Sequence, residues 1–149
     1  MTIKLLFSRS HQLGSYFIRW ITWSDWSHVE FVTDDGFVIG AVYPGGVMKY
    51  PLATRLAESS AYEYCTVVKG DYQKALDFLT KQIGKPYDVT AIFGILTHRD
   101  WEEDDRWFCS EMQTAAIKES NDGVCSPVRK VSWRVTPQDL YQSPCLRDF

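Results

Sequence analysis

The sequence predicts an α+β fold in which a small antiparallel sheet is packed by helices. Three observations predict it. Residues 26–52, WSHVEFVTDDGFVIGAVYPGGVMKYPL, contain two or three short strands separated by turn signals. Other segments carry apolar residues at helical spacing. The chain shows no repeats and no linker, so its 149 residues are expected to form one domain, 1–149.

The predicted elements follow one another closely along the chain. Strand patterns occur at residues 3–8, within 26–52, at 61–68 and, as one last strand, at 128–137. Helical patterns occur at 10–22 with a cap at Ser10, at 71–84, shortly after Pro86, at 109–121 and as a closing turn at 136–141. The mixture is typical of an α+β domain.

Composition and charge exclude several classes of function. The net charge of −3 gives no global basic surface, so no nucleic-acid partner is expected. No apolar run is long enough to span a bilayer, and the opening MTIKLLFSRS is too short and lacks a cleavage site for a signal peptide. We therefore predict no transmembrane segment and a cytoplasmic location.

The four cysteines are Cys65, Cys109, Cys125 and Cys145. No CxxC pair is present, so a structural zinc site is not expected. The interpretation of the sequence implies no other metal and no cofactor. Without a sign of secretion, reduced thiols are the expectation. Cys65 is interpreted as a core residue, and Cys125 and Cys145 as incidental.

Cys109 differs from the other three because it begins a predicted helix. A helix N-terminus favours the thiolate, and its free N–H groups can hold a developing oxyanion. The alternative is a buried structural cysteine, since Cys109 lines up with Met112, Ala116 and Ile117 on one face. The pattern alone does not decide between a nucleophile and a core residue.

His28 is the candidate base for such a thiol. In SHVEFV the strand period places His28 and Glu30 on one face. The alternative is an ordinary polar pair on a solvent-exposed face. A cysteine nucleophile is usually paired with a histidine, and here the histidine precedes the cysteine, the reverse of the order in papain.

The order SHVEFV, GKPYD, FCSEM resembles the circularly permuted branch of the NlpC-type, papain-like cysteine hydrolases. This YiiX/YaeF-like group is related to the lecithin:retinol acyltransferase family. The similarity covers roughly residues 26–117. It implies a permuted papain-like fold and an enzyme that cleaves an amide, peptide or ester bond through an acyl-enzyme.

The resemblance also implies roles for individual residues. Cys109 matches the nucleophile, His28 the base, and Tyr87 a tyrosine that helps to hold the oxyanion. Ser110 is a candidate substrate contact. The alternative for Tyr87 is a core ring after a Gly-x-Pro turn. Implied substrates are a small peptide, a peptidoglycan fragment, or a lipid amide or ester.

One position departs from the family pattern. The family places a polar residue on the next strand to orient the histidine, and here Gly40 stands near that place. If residues 34–36 form a hairpin loop, Thr33 pairs with Phe37 and Glu30 faces Gly40. The missing side chain would then leave room for the Glu30 carboxylate to bend toward His28, as the orienting residue.

Two further alternatives remain open from the sequence. The fold could serve an acyltransferase, in which an amine or alcohol replaces water. It could also be a non-catalytic binding module whose site has decayed, as Gly40 permits. Core packing is the favoured interpretation of Trp20, Trp23 and Trp26, against a ledge for an acyl chain or a membrane. The acidic run at 100–105 is expected to be a solvated loop that disfavours anionic substrates.

Overall fold

The computed structural model describes residues 1–89, 106–123 and 135–149. In these ranges six strands form one antiparallel sheet in the order β4-β3-β2-β1-β5-β6. The strands are β1 (Lys4–Arg9), β2 (His28–Val32), β3 (Phe37–Val42), β4 (Gly46–Pro51), β5 (Ala61–Val67) and β6 (Leu146–Asp148). The predicted α+β class is confirmed.

Five helices accompany the sheet in the described residues. They are α1 (Leu13–Thr22), α2 (Leu52–Glu58), α3 (Tyr72–Gln82), α4 (Cys109–Ser120) and α5 (Pro137–Tyr141). None of these helices is long and apolar enough to cross a membrane. The helix after β5 begins as predicted, because the Asp71 side chain accepts hydrogen bonds from the N–H groups of Gln73 and Lys74.

One face of the sheet carries the main apolar core. Phe31 and Ile39 face α4, and Leu79 of α3 and Met112 of α4 complete the contact; all four side chains are fully buried. Burial of side chains of this size contributes about 1.5–3 kcal/mol each relative to exposure. This packing fixes α4, and therefore its first residue Cys109, against the sheet.

The opposite face carries both polar and apolar buried residues. The register pairs Leu6 with Glu30 and Ser8 with His28, which puts these four side chains on the second face. Helix α2 follows β4 directly and lies against β3 and β4. It thereby covers the part of the face that holds Glu30.

Some elements were not predicted, and some predictions fall outside the described residues. Helix α2 and strand β6 have no counterpart among the predicted elements. The acidic run at 100–105, most of the predicted strand at 128–137, and all but the start of the helix after Pro86 lie outside the described ranges. Helix α1 begins after Gln12 rather than after Ser10.

Two of the three tryptophans contradict the core-packing interpretation. Trp20 and Trp23 are 75% and 92% exposed, whereas Trp26 packs against Phe7 and Tyr141. The prediction was wrong for Trp20 because α1 packs on the core through Ile18 and Ile21, and for Trp23 because this residue is the C-cap that ends the helix. Leu13 on the same helix is also exposed.

The expectation of four reduced thiols is wrong for Cys145, which is disulfide-bonded. Cys65 and Cys109 are free and buried. A pairing of distant cysteines depends on the fold and leaves no local signature in the sequence.

Candidate functional site

Gly40 and Glu30 face each other across the β2–β3 ladder. Phe31 pairs with Ile39, and the N–H of Thr33 donates to the carbonyl of Phe37 at 2.9 Å, which is the predicted register. A β-carbon on Gly40 would lie 2.7 Å from Cγ and 2.8 Å from Oε1 of Glu30. Glycine at this position therefore gives the Glu30 carboxylate its space.

That carboxylate contacts His28 on the same face of β2. Nε2 of His28 lies 2.9 Å from Oε1 of Glu30, and the His28 side chain is 13% exposed while that of Glu30 is 0% exposed. Burial acts to lower the pKa of His28. The charge of Glu30, with hydrogen bonds to Cys109 and Glu30, outweighs burial and raises that pKa to about 9.

Cys109 is the second partner of His28. Cys109 begins α4 and His28 begins β2, and the interaction with the Cys109 thiol contributes to the raised pKa of His28. Because Nε2 contacts Glu30, Nδ1 is the ring nitrogen left for the thiol. The first N–H groups of a helix have no intrahelical acceptor. Those at the start of α4 lie beside Cys109 and are therefore available to an oxygen atom next to the thiol.

The Glu30 carboxylate has two further partners that the sequence analysis missed. Arg55 of α2 donates from Nε to Oε2 at 2.8 Å and from Nη2 to Oε1 at 3.0 Å. The hydroxyl of Tyr50 on β4 donates to Oε1. Arg55 also donates to the Tyr50 hydroxyl, so the three side chains form one partly buried network.

This network keeps Glu30 ionised although it is fully buried. Burial acts to raise the pKa of Glu30, but the charge and hydrogen bond of His28 and those of Arg55 lower it below its ordinary value. A buried carboxylate with a bidentate guanidinium and two further donors is fully paired. Glu30 can therefore hold His28 in one orientation and favour its protonated form.

Tyr87 is held beside this group by backbone contacts on two sides. The carbonyl of Lys85 accepts from the N–H of Val47 at 2.8 Å, and the N–H of Gly84 donates to the carbonyl of Val47 at 2.9 Å. On the other side Tyr87 forms a bridge with Trp107, two residues before Cys109. The GKPYD segment is thus fixed between β4 and the start of α4.

The Tyr87 ring is buried, and it also faces the site. It packs edge-on against Tyr43 and Phe108. Burial, the charge of Cys109 and the charge of Asp88 raise the pKa of the Tyr87 hydroxyl well above its ordinary value. The hydroxyl therefore stays protonated, as a hydrogen-bond donor requires, and lies within electrostatic reach of the thiol.

Ser110 has a packing contact instead of an exposed position. Its side chain is fully buried, and the hydroxyl donates to the carbonyl of Val135 at 2.5 Å. This bond ties the first turn of α4 to the segment before α5. The hydroxyl lies outside the wall of the cavity that reaches the other site residues.

That cavity has a volume of about 610 Å³ and lies between α1, α2 and the β3–β4 hairpin. His28 and Tyr87 form part of its wall, and Tyr50 and Arg55 form another part. Cys109 is 0% exposed and is absent from the wall. The thiol therefore lies behind His28 and Tyr87, and a molecule in the cavity meets those two side chains first.

Comparisons with known proteins show the fold and no more. No family model matches the sequence, and no curated protein matches it. Among solved structures, the chain is similar to the crystal structure of metalloprotein yiiX from Escherichia coli O157:H7. The TM-score is 0.77 with 22% sequence identity, over 100% of this chain and 96% of that one. The YiiX-like fold is therefore shown, in agreement with the resemblance seen in the sequence.

Proposed function

We propose that the protein is a cysteine hydrolase that cleaves an amide, peptide or ester bond, with Cys109 as nucleophile and His28 as base. The observation that carries the proposal is the position of His28, which is hydrogen-bonded to the buried carboxylate of Glu30 and lies close enough to Cys109 for the thiol to help raise its pKa. This is the arrangement of a thiol, a base and an orienting group in nucleophilic catalysis.

The charges around His28 favour a proton on its ring. Glu30 supplies the negative charge beside His28, and the Arg55 guanidinium is shared between Glu30 and, at 3.7 Å, Glu58. A protonated imidazole beside a thiol is the arrangement that activates a cysteine nucleophile.

In the first half of the reaction the Cys109 sulfur attacks the carbonyl carbon of the substrate. The carbonyl oxygen takes up the negative charge, with the N–H groups at the start of α4 and the Tyr87 hydroxyl as donors. The proton on Nδ1 of His28 passes to the nitrogen or oxygen that leaves. The product is a thioester between the acyl group and Cys109.

In the second half a water molecule attacks the thioester carbon. Nδ1 of His28 accepts a proton from that water, and the carbonyl oxygen again uses the same donors. The Cys109–carbonyl bond breaks, a carboxylic acid is released, and His28 is again protonated beside the thiolate. Glu30 stays ionised throughout and keeps Nε2 in place.

The neighbouring yiiX structure is that of a metalloprotein, so we tested whether these residues fit a metal. No group of three His, Cys, Asp or Glu side chains suited to a metal occurs in residues 1–89, 106–123 and 135–149. Glu30 is already bound by the Arg55 guanidinium, whose charge repels a cation. The described site therefore does not fit a resident metal, and no step is routed through one.

Two other functions share much of this geometry. An acyltransferase would form the same thioester and pass the acyl group to an amine or alcohol. A non-catalytic binding module would use the cavity alone, and the full burial of the Cys109 thiol is the observation that favours it. A peptide, a peptidoglycan fragment and a lipid amide or ester are the substrate classes that the family resemblance implies.

Acylation of Cys109 by p-nitrophenyl acetate tests the proposal. We expect release of p-nitrophenolate and an acetyl group on Cys109 in the mass spectrum of the tryptic peptide. Cys109→Ala should abolish both, whereas Cys65→Ser, which removes the other free cysteine of the described residues, should change neither. Partition of the acyl group between water and an added amine acceptor then separates a hydrolase from an acyltransferase. Absence of both p-nitrophenolate release and acetyl-Cys109 in the folded protein would leave the binding module as the function.

A further inference from the structure

The side chain of Gln113 joins helix α4 to the sheet. Gln113 lies about one helical turn after Cys109, and its side chain is fully buried. Its Nε2 donates a hydrogen bond to the carbonyl oxygen of Ile39 at 3.0 Å. The helix that carries the thiol is therefore bonded directly to β3.

The acceptor, Ile39, lies at the end of the backbone pairing between β2 and β3. In the described residues this pairing goes no further toward the site than Ile39 and its partner on β2, whereas β1 pairs with β2 as far as His28. Ile39 also directly precedes Gly40, whose missing side chain gives the Glu30 carboxylate its space. The bond from Gln113 therefore fixes β3 next to the contact of Glu30 with His28.

The orientation of the Gln113 amide follows from its partner. A carbonyl oxygen can only accept a hydrogen bond, so the amide nitrogen must face Ile39 and the amide oxygen Oε1 must point away from it. Oε1 is buried and has no hydrogen-bond partner among the described residues. A buried amide oxygen without a donor destabilises a fold, so the amide is only half paired.

Glutamine at position 113 contributes direction rather than stability. Methionine has nearly the same length and would leave no polar group unpaired, so apolar packing alone would favour methionine. The apolar contacts of α4 with Phe31 and Ile39 have no preferred direction. A hydrogen bond, in contrast, fixes both a distance and an angle. The bond to Ile39 therefore determines where α4, and with it Cys109, lies relative to β3.

We propose that Gln113 is a positioning residue for the reaction, and that its bond to Ile39 places the Cys109 thiol against the His28 ring. The inference rests on the proposed function and deepens it, since it adds a residue that acts through the position of the nucleophile. Gln113 does not line the cavity, so a direct contact with the substrate is not part of this role.

Gln113→Met tests the inference because it keeps the length of the side chain and removes the donor. The variant should resist urea at least as well as the native protein, since the unpaired oxygen is removed together with the donor. Alkylation of Cys109 by iodoacetamide at pH 6 and its acetylation by p-nitrophenyl acetate should both slow by roughly 10- to 100-fold, as expected for a displacement of about 1 Å. Native rates in Gln113→Met would overturn the inference.

Thr114→Val is the matched control. The Thr114 hydroxyl is buried and donates to the carbonyl of Ser110 at 2.8 Å, so this hydrogen bond stays within α4. The variant should keep both rates near the native values. Equal slowing in the two variants, or a urea midpoint of Gln113→Met below that of the native protein, would assign Gln113 to packing and refute the positioning role.

Titration of the His28 ring by NMR separates this inference from the proposed function. The Cys109 thiol contributes to the raised pKa of His28, which is about 9. That pKa should fall in Gln113→Met, because the thiol moves away from the ring, and should stay in place in Thr114→Val. Such a fall would support the positioning role even if the native protein forms no acetyl-Cys109. Acetylation of native Cys109 with one His28 pKa in all three proteins would contradict the role and leave the hydrolase intact.

Discussion

The side chain of Glu30 occupies the space that a β-carbon on Gly40 would need, 2.7 Å from Cγ. The carboxylate can bend toward His28 only because residue 40 has no side chain. In the family that the sequence resembles, a polar residue near position 40 orients the histidine. With glycine at this position, a group on β2 itself can take that place. Under the proposed function, Gly40 and Glu30 together would supply the orienting group that the sequence comparison places on β3.

Gly40→Ala should displace the carboxylate and destabilise the fold. The clash is with a fully buried side chain, and overpacking of this kind costs about 1–3 kcal/mol. Urea unfolding measures the loss of unfolding free energy. The rate of Cys109 alkylation by iodoacetamide at pH 6 reports on the geometry of the site, and we expect this rate to fall at least tenfold. Gly14→Ala is the stability control, because a β-carbon there meets nothing within 4 Å. Equal stability of the two variants would contradict the packing argument.

Arg55→Gln should leave the buried Glu30 carboxylate without its guanidinium. Removal of one partner of a buried ion pair costs about 3–5 kcal/mol. Arg55→Lys keeps the charge but loses the bidentate geometry, so an intermediate loss is expected. The double variant Glu30→Gln/Arg55→Gln should lose less free energy of unfolding than the sum of the two single variants. Strict additivity would mean that the two side chains do not interact.

Protonation of His28 should stabilise the fold in a defined pH window. Its pKa rises from an ordinary 6.5 to about 9 in the folded protein. The stabilisation is therefore complete below pH 6.5 and is lost as pH rises through 9, and its upper limit is roughly 3 kcal/mol. The difference in unfolding free energy between the native chain and His28→Asn should shrink between pH 6.5 and pH 9.5. A constant difference across this window would exclude a raised pKa.

Tyr87→Phe separates the oxyanion role from core packing. The variant keeps the ring, so its stability should change by less than about 1.5 kcal/mol. Acetylation of Cys109 by p-nitrophenyl acetate should slow by roughly 10- to 1,000-fold, because one oxyanion donor is lost. Alkylation by iodoacetamide forms no oxyanion and should continue at the native rate. Equal slowing of both reactions would assign Tyr87 to packing.

The β2–β3 hairpin could be predicted from the sequence because the residues that determine its turn and its register are close together in the chain. Asp34-Asp35-Gly36 fixes the turn, Gly36 has a positive φ of 81°, and the strand period then fixes which residues face each other. Glu30 opposite Gly40 follows from these facts alone. The contact between His28 and Cys109 needed the family resemblance, since 81 positions separate them in the sequence.

Arg55 and Tyr50 could not be predicted in the same way. Arg55 reaches Glu30 only because α2 follows β4 without a loop, and that short helix lacks a side-chain cap that would mark its start. For Tyr50 the strand register did contain a signal. Met48 pairs with Gly40, and Tyr50 lies two residues further along β4, on the same face as Met48. The exposed Trp20 of α1 shows a second limit of sequence analysis. An apolar stripe predicts which face of a helix is apolar, but not which element packs against that face.

The pH dependence of thiol alkylation at single cysteines tests the dyad of Cys109 and His28 most directly. Iodoacetamide labelling is read by mass spectrometry, with Cys65 as internal control, because burial and the charges of Glu63 and Asp148 raise its pKa to about 11. The account predicts that Cys109 is labelled at pH 6 while Cys65 stays unlabelled, and that His28→Asn slows the labelling of Cys109 at pH 6 at least about 30-fold. If Cys109 reacts no faster than Cys65 at pH 6, or if His28→Asn leaves its rate unchanged, the dyad does not exist.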